Sequence, residues 1–196
     1  MTGIGVVSPF GVGAPAFRDG LREGRSATRT ITLFDPGDLP SRVAAEVPGF
    51  DPAAWLSPED RERVGRIVPL AFVAAREALV DAGVLDQAFP DEERRAIGVL
   101  LGSGAGAIDF AERQYEAYYR EGIRRVNPFA ISSSVVGMVS SELSIRFGFT
   151  GPSHVLSNGC TSSTDAIGYA LHAIRCGEHP MLLTGGAEAC ITRGMM

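Results

Sequence analysis

The chain has 196 residues, 45% of them hydrophobic and 21% charged, with a net charge of -5, which is enough for one domain with a sizeable core. The acidic balance argues against general nucleic-acid binding, and no apolar run approaches the roughly 18 residues of a membrane span, so neither nucleic acid nor membrane is an expected partner. All 18 basic residues are arginine, which excludes Schiff-base lysine chemistry and a lysine-bearing phosphate loop.

No basic apolar leader opens the chain, so a cytoplasmic location is expected. The three cysteines, Cys160, Cys176 and Cys190, form no C-x-x-C pair and have no histidine at metal-ligand spacing. No metal and no cofactor is expected, and the thiols are read as free in a reducing compartment.

In chain order, T-G-I-G-V-V-S-P-F-G reads as a strand entered near its middle, so a clipped first strand is expected, ended by Pro9 and Gly11. Ala14 to Glu23 has helical spacing in Phe17 and Leu21 and stops at Gly24. Arg25 to Pro58 is rich in Pro, Gly and Asp, an irregular excursion with one alternating run from Arg42 to Val47. Ser57-Pro58-Glu59-Asp60 opens a helix, with a serine cap, proline at the first position and acids in the first turn. That helix is predicted to run to Ala82, kinked or divided by Pro69, and to stop at Gly83. Ala96 to Leu101 is an apolar run suited to a strand buried on both faces.

Gly102 to Ala107 fits the loose dinucleotide pattern G-x-G-x-x-A. The acid that should end a second strand about 20 positions on is missing, because Asp109 to Arg125 is helical and polar. A tight strand-to-helix turn is therefore preferred, and a nucleotide-binding oxidoreductase is the weaker alternative. Val135 to Phe147 reads as a closely packed helix and His154 to Ser157 as a short strand. An amphipathic helix is predicted from Cys160 to about Gly177, and Pro180 to Thr184 as another buried strand. The alternation gives an α/β fold with a mostly parallel sheet.

Cys160 thus falls at the start of a helix, where free amides and the helix dipole favour an anion by about 0.3 to 1 kcal/mol and can also receive the oxyanion of an attacked thioester. Asn158, Gly159, Thr161, Ser162, Ser163 and Thr164 are small and leave room at the sulfur. Ala166, Ile167, Ala170, Leu171 and Ile174 are expected to form the buried face. Two roles stay open on spacing alone: an acyl-transfer nucleophile, or a structural cysteine at a helix cap. A hydrolase nucleophile elbow is excluded, since it needs glycine where Asn158 and Ser162 stand.

Several motifs in order carry a resemblance. They are T-G-I-G-V-V-S-P-F-G (Thr2 to Gly11), L-R-E-G-R-S (Leu21 to Ser26), A-A-R-E-A-L-V-D-A-G (Ala74 to Gly83) and I-G-V-L-L-G-S-G (Ile97 to Gly104). N-P-F (Asn127 to Phe129), S-I-R-F-G-F-T-G-P-S (Ser144 to Ser153), S-N-G-C-T-S-S-T-D around Cys160, and L-T-G-G-A-E-A (Leu183 to Ala189) follow. Across residues 1–196 the chain resembles the N-terminal half of a β-ketoacyl synthase of the thiolase-like superfamily, and S-N-G-C-T-S-S-T-D is more similar to ketosynthases of aromatic, type II polyketide systems.

The resemblance implies a layered α-β-α-β-α fold, with Cys160 as the acyl-accepting nucleophile and its own amide as one oxyanion donor. It implies an acyl carrier protein as partner, and a homodimer or a ketosynthase-like heterodimer paired along the strand before Cys160. It places two histidines and a lysine in a C-terminal half that these residues do not contain, without which condensation should fail and an apolar face should stand open. A non-condensing, acyl-accepting or subunit-binding protein is the alternative. His154, His172 and His179 match no catalytic position. Arg61, Arg63 and Arg66 fall near the family's carrier-docking patch, although Glu59 and Glu62 among them equally suit a solvated helix face.

Overall fold

The computed structural model describes residues 1–196. The chain opens along the flank of a long helix, so closely that a Cβ at Gly3 or Gly5 would fall 2.1 or 1.8 Å from the carbonyl oxygens of Ala78 and Ala74. The Ile4 and Val6 amides donate to Asp81 and Glu77 of that helix at 3.0 and 2.8 Å. Helix carboxylates thus take the alternate amides that a strand neighbour would take. The predicted N-terminal strand is reduced to β1 (Val7–Ser8), paired antiparallel with β2 (Gly11–Val12).

Helix α1 (Ala14–Arg22) follows its spacing. In the irregular excursion, β3 (Arg29–Thr30) pairs antiparallel with β4 (Val43–Ala44). Ser57 Oγ accepts the Asp60 amide at 3.1 Å and caps α2 (Pro58–Arg63). The predicted single helix is indeed divided, but at Val64 to Arg66, ahead of Pro69, and it resumes as α3 (Ile67–Asp81). Gly65 is pressed against Ala107, whose Cβ would lie 2.5 Å from one added at 65, and the Arg66 amide donates to Asp109 at 3.0 Å. A tertiary contact sets the break, and Pro69 sits in the first turn of α3, where its missing N–H leaves no bond unmade.

After α4 (Asp91–Arg95) comes β5 (Gly98–Gly102), the centre of a three-stranded parallel sheet. Helices α5 (Ile108–Glu121), α6 (Ala130–Ser134) and α7 (Met138–Phe147) lead to β6 (Ser153–Leu156) at one edge of it. Helix α8 (Ser162–Arg175) then leads to β7 (Leu182–Gly186) on the other side of β5. The predicted helix over 135–147 starts three residues late, at Met138.

Alternation along β5 makes two layers of helix around one sheet. Ile97, Val99 and Leu101 join α3, α5 and α7 in the core with Ile67, Val68, Phe110 and Leu143. Gly102, of opposite parity, meets the start of α8, and Ala166 and Ala170 of α8 are buried. The buried face predicted for α8 is otherwise too wide: Ile167, Leu171 and Ile174 are 51%, 48% and 43% exposed. No helix is long and apolar enough to cross a membrane.

Candidate active site

Two glycines let α8 reach the sheet. A Cβ at Gly102 would lie 2.2 Å from the Ser162 carbonyl carbon, and one at Gly186 2.4 Å from Ser163 Cβ. The ends of β5 and β7 therefore abut the first turn of α8, and the loop before it projects over both. Cys160 lies in that loop, in a short 3-10 turn over Gly159–Thr161, two residues ahead of α8 rather than on its first residue. Gly159 has φ +66°, a left-handed conformation that turns the chain sharply off β6.

Side chains clasp the loop. Ser162 Oγ accepts the Asn158 amide at 2.8 Å and donates to the Gly159 carbonyl at 2.7 Å, while Asp165 accepts from Asn158 Nδ2 at 2.9 Å and from Thr161 Oγ1 at 3.2 Å. Ser162 is 3% exposed, so it is a structural clasp and not merely a small neighbour that leaves room. No side chain caps α8, and Asp165 supplies the acid that the helix dipole favours in a first turn.

Cys160 is exposed and lines an open cavity of about 460 Å³ bounded by the turn after β5 and the segment after β7. Cys190 lines the same cavity, and burial, followed by the hydrogen bond and charge of Glu188, pushes its thiol up to about 11. Desolvation acts to raise the Glu188 carboxyl. The bonds it accepts from Cys190, Ser103, Gly104 and Ala105 outweigh that, and it is held below the usual glutamate range. The Gly104 and Ala105 amides, which a phosphate would need, are thus given to a carboxylate at 2.7 and 3.4 Å. The turn over 102–107 is the tight strand-to-helix connection preferred from the sequence, with the Gly104, Ala105 and Gly106 amides already taken.

Sequence reasoning missed Glu188, Ser103 and Cys190 as cavity residues. The available signal was an acid directly after the Gly185-Gly186-Ala187 strand end, on a strand adjacent to β5. The three histidines stand elsewhere: His154, His172 and His179 line a separate cavity of about 330 Å³ beside β5 and β6. His172 Nε2 lies 3.5 Å from Cys176 Sγ. Of the three arginines, Arg61 on α2 is exposed and Arg63 is half-buried against Asp60 at 2.8 Å. Arg66 is half-buried too; burial pulls its guanidinium below the usual arginine value, and Glu46 and Asp109 push it back. Arg61 alone of the three is exposed.

The β-ketoacyl synthase N-terminal domain family matches residues 1–196. The chain belongs to that family. The tetracenomycin polyketide synthase ketoacyl synthase alpha subunit of Streptomyces glaucescens is 39% identical over 98% of this chain and 46% of its own length. The 3-oxoacyl-acyl-carrier-protein synthase 2 of Coxiella burnetii is 32% identical over the same shares. The ishigamide ketosynthase/chain length factor superposes with a TM-score of 0.85 at 28% identity, covering 100% of this chain and 48% of that one. A type II polyketide synthase acyl-carrier protein in complex with its ketosynthase bound to the hexaketide gives 0.79 at 25% identity, covering 99% and 51%. The chain therefore has the thiolase-like α/β fold that its motifs imply, and it spans about half the length of the curated relatives it matches.

Proposed function

We propose that this ketosynthase domain carries the acyl-accepting thiol of a condensing enzyme of fatty-acid or polyketide synthesis. The observation that carries the reading is the place of Cys160, exposed over a cavity at the ends of β5 and β7, on a loop that Ser162 clasps into an uncapped helix start. The Cys160 thiolate attacks the carbonyl of an acyl-carrier thioester; a bond forms from Sγ to the acyl carbon, the carrier's carbon–sulfur bond breaks, and the proton lost by Cys160 ends on the carrier thiol. Backbone amides at the loop stabilise the oxyanion of the tetrahedral intermediate. Decarboxylation of a malonyl-carrier thioester, with release of CO2, then gives a carbanion that attacks the acyl carbon; the bond from that carbon to Sγ breaks, the carrier keeps the lengthened β-ketoacyl chain, and Cys160 leaves as a thiolate. The two histidines and the lysine that the resemblance assigns to that step belong to a half outside these residues.

The reading brings with it an acidic acyl carrier protein as donor, a ketosynthase or ketosynthase-like partner subunit, and a cytoplasmic location in keeping with three free thiols. Carrier docking is assigned to α2 through Arg61, with Arg63 and Arg66 behind it. Arg61→Glu should slow acylation from a carrier thioester about 3- to 10-fold, increasingly at low salt, and leave acylation from a small thioester unchanged. An equal effect on both donors would remove Arg61 from docking.

The reading is tested by thiol labelling at pH 7.5 with iodoacetamide, followed by peptide mass spectrometry. Cys160 should be modified well ahead of Cys190 and ahead of Cys176. Equal labelling of the three counts against the nucleophile assignment. Transfer to Cys160 with no condensation even when a relative's C-terminal half is supplied would favour the acyl-accepting, non-condensing alternative.

A further inference from the structure

The cavity at Cys160 holds an acid that thiol attack does not itself require. Glu188 Oε1 accepts from Ser103 Oγ, from the Gly104 amide at 2.7 Å and from the Ala105 amide at 3.4 Å, while Oε2 accepts from Cys190 Sγ at 2.9 Å. Bonds to an ionised acceptor are roughly twice as strong as neutral ones, so this grip dominates the turn it holds. Ser103 is 2% exposed, and its Oγ also accepts the Gly106 amide at 3.1 Å, which closes the turn on itself.

The turn is bonded to the nucleophile loop: Ser157 Oγ donates to the Gly104 carbonyl at 3.4 Å, and the gap between Gly104 and Gly159 is one methyl wide, a Cβ added at Gly104 falling 3.6 Å from Gly159 Cα. Behind the turn, the Ser103 amide donates to the Leu156 carbonyl and the Ala187 amide to the Gly102 carbonyl, both at 3.1 Å, so the segments leaving β5, β6 and β7 are tied at one level. The only side chain that grips the 103–105 turn from the β7 side is Glu188.

We propose that Glu188 is a positioning residue for the acyl-accepting loop: its grip on the Ser103 to Ala105 turn holds Gly104 in its bond to Ser157, beside Gly159, and so fixes the backbone that carries Cys160. The proposal rests on the reading of Cys160 as acyl acceptor. Glu188 touches neither the thiol's bond-forming step nor its proton, and acts only through the two loops.

Glu188→Ala and Glu188→Gln test it through two readouts. In amide hydrogen exchange, the alanine variant should raise exchange about tenfold or more at 103–105 and also at 158–160, with Val99 to Leu101 of β5 unchanged. In acyl transfer from an acyl-carrier thioester to Cys160, it should lower the maximal rate tenfold or more and leave the half-saturating donor concentration within about twofold. The glutamine variant keeps an oxygen acceptor for the turn and should restore both readouts to within about threefold of the native protein. Unchanged exchange at 158–160 in the alanine variant overturns the proposal, as does an equal rise throughout β5, which would mark global destabilisation. If the native thiol accepts no acyl group while exchange at 158–160 still rises, the acceptor reading falls and the coupling of the two loops stands.

Discussion

Cys160 and Cys190 share a cavity, and their neighbours make them chemically unequal. Cys190 donates to Glu188 and is pushed up to about 11, so at pH 8 only about one molecule in a thousand is the reactive thiolate. Its alkylation rate should climb about tenfold per pH unit between 8 and 10, and Glu188→Gln should move that climb to lower pH. A rate already flat above pH 9 would contradict the assignment. Gly159 is a second case in which one residue decides the loop. At φ +66° a Cβ costs about 1–2 kcal/mol, and Gly159→Ala should lower stability by that amount in thermal denaturation. The place of Cys160 just ahead of α8 was legible in the sequence because its signal is local, whereas the clasp made by Ser162 was not. Glu188 was not, because its partner Gly104 is 84 residues away and only the pairing of β5 with β7 brings them together.

Close approach fixes the elements around the site. Gly102 and Gly186 leave no space for a methyl between strand ends and α8, so Gly102→Ala or Gly186→Ala should displace the helix start, cost about 1–3 kcal/mol by overpacking, and slow acylation of Cys160. Normal stability with normal acylation in either variant would show that α8 is not seated by these contacts. Periodicity foretold α1, α3, α5, α8 and the three sheet strands to within a few residues. It failed where a distant contact overrides local preference. The helix expected from Ser57 to Ala82, kinked or divided at Pro69, is divided at Gly65 instead because Ala107 presses there, and the expected first strand yields its amides to Asp81 and Glu77. The outer side of α8 misled in the same way, since its 3.6-residue spacing marks an apolar face without saying what covers it.

At the scale of the molecule, one tightly bonded polar cluster ties two helices together, and large apolar side chains stand open on both helix layers. Arg146, 12% exposed, bridges Asp60 at 3.0 Å and Glu142 at 3.0 Å, tying α2 to α7. The bond from Arg146 is the largest influence on Asp60 and holds its carboxyl below the usual 3.8. A depressed folded value stabilises the fold above that usual value and loses the contribution as pH falls below it. Asp60→Asn should therefore flatten the acid limb of a stability profile below about pH 4, and an unchanged limb would remove Asp60 from it. Ile131 on α6 is 83% exposed, and Ile167 and Tyr169 on α8 are 51% and 62% exposed, large apolar side chains left open to water. Light scattering should show concentration-dependent association that Ile131→Ser with Ile167→Ser reduces; a monomer at all concentrations would mean that these exposed side chains are tolerated in water.

The acyl-accepting role of Cys160 is tested most directly by incubating the chain with an acyl-carrier thioester and mapping the acyl group by peptide mass spectrometry. The expected result is a single thioester adduct on the peptide containing Cys160, absent from Cys160→Ser under non-reducing conditions at neutral pH. An adduct spread over Cys160, Cys176 and Cys190, or one that persists in Cys160→Ser, would contradict it.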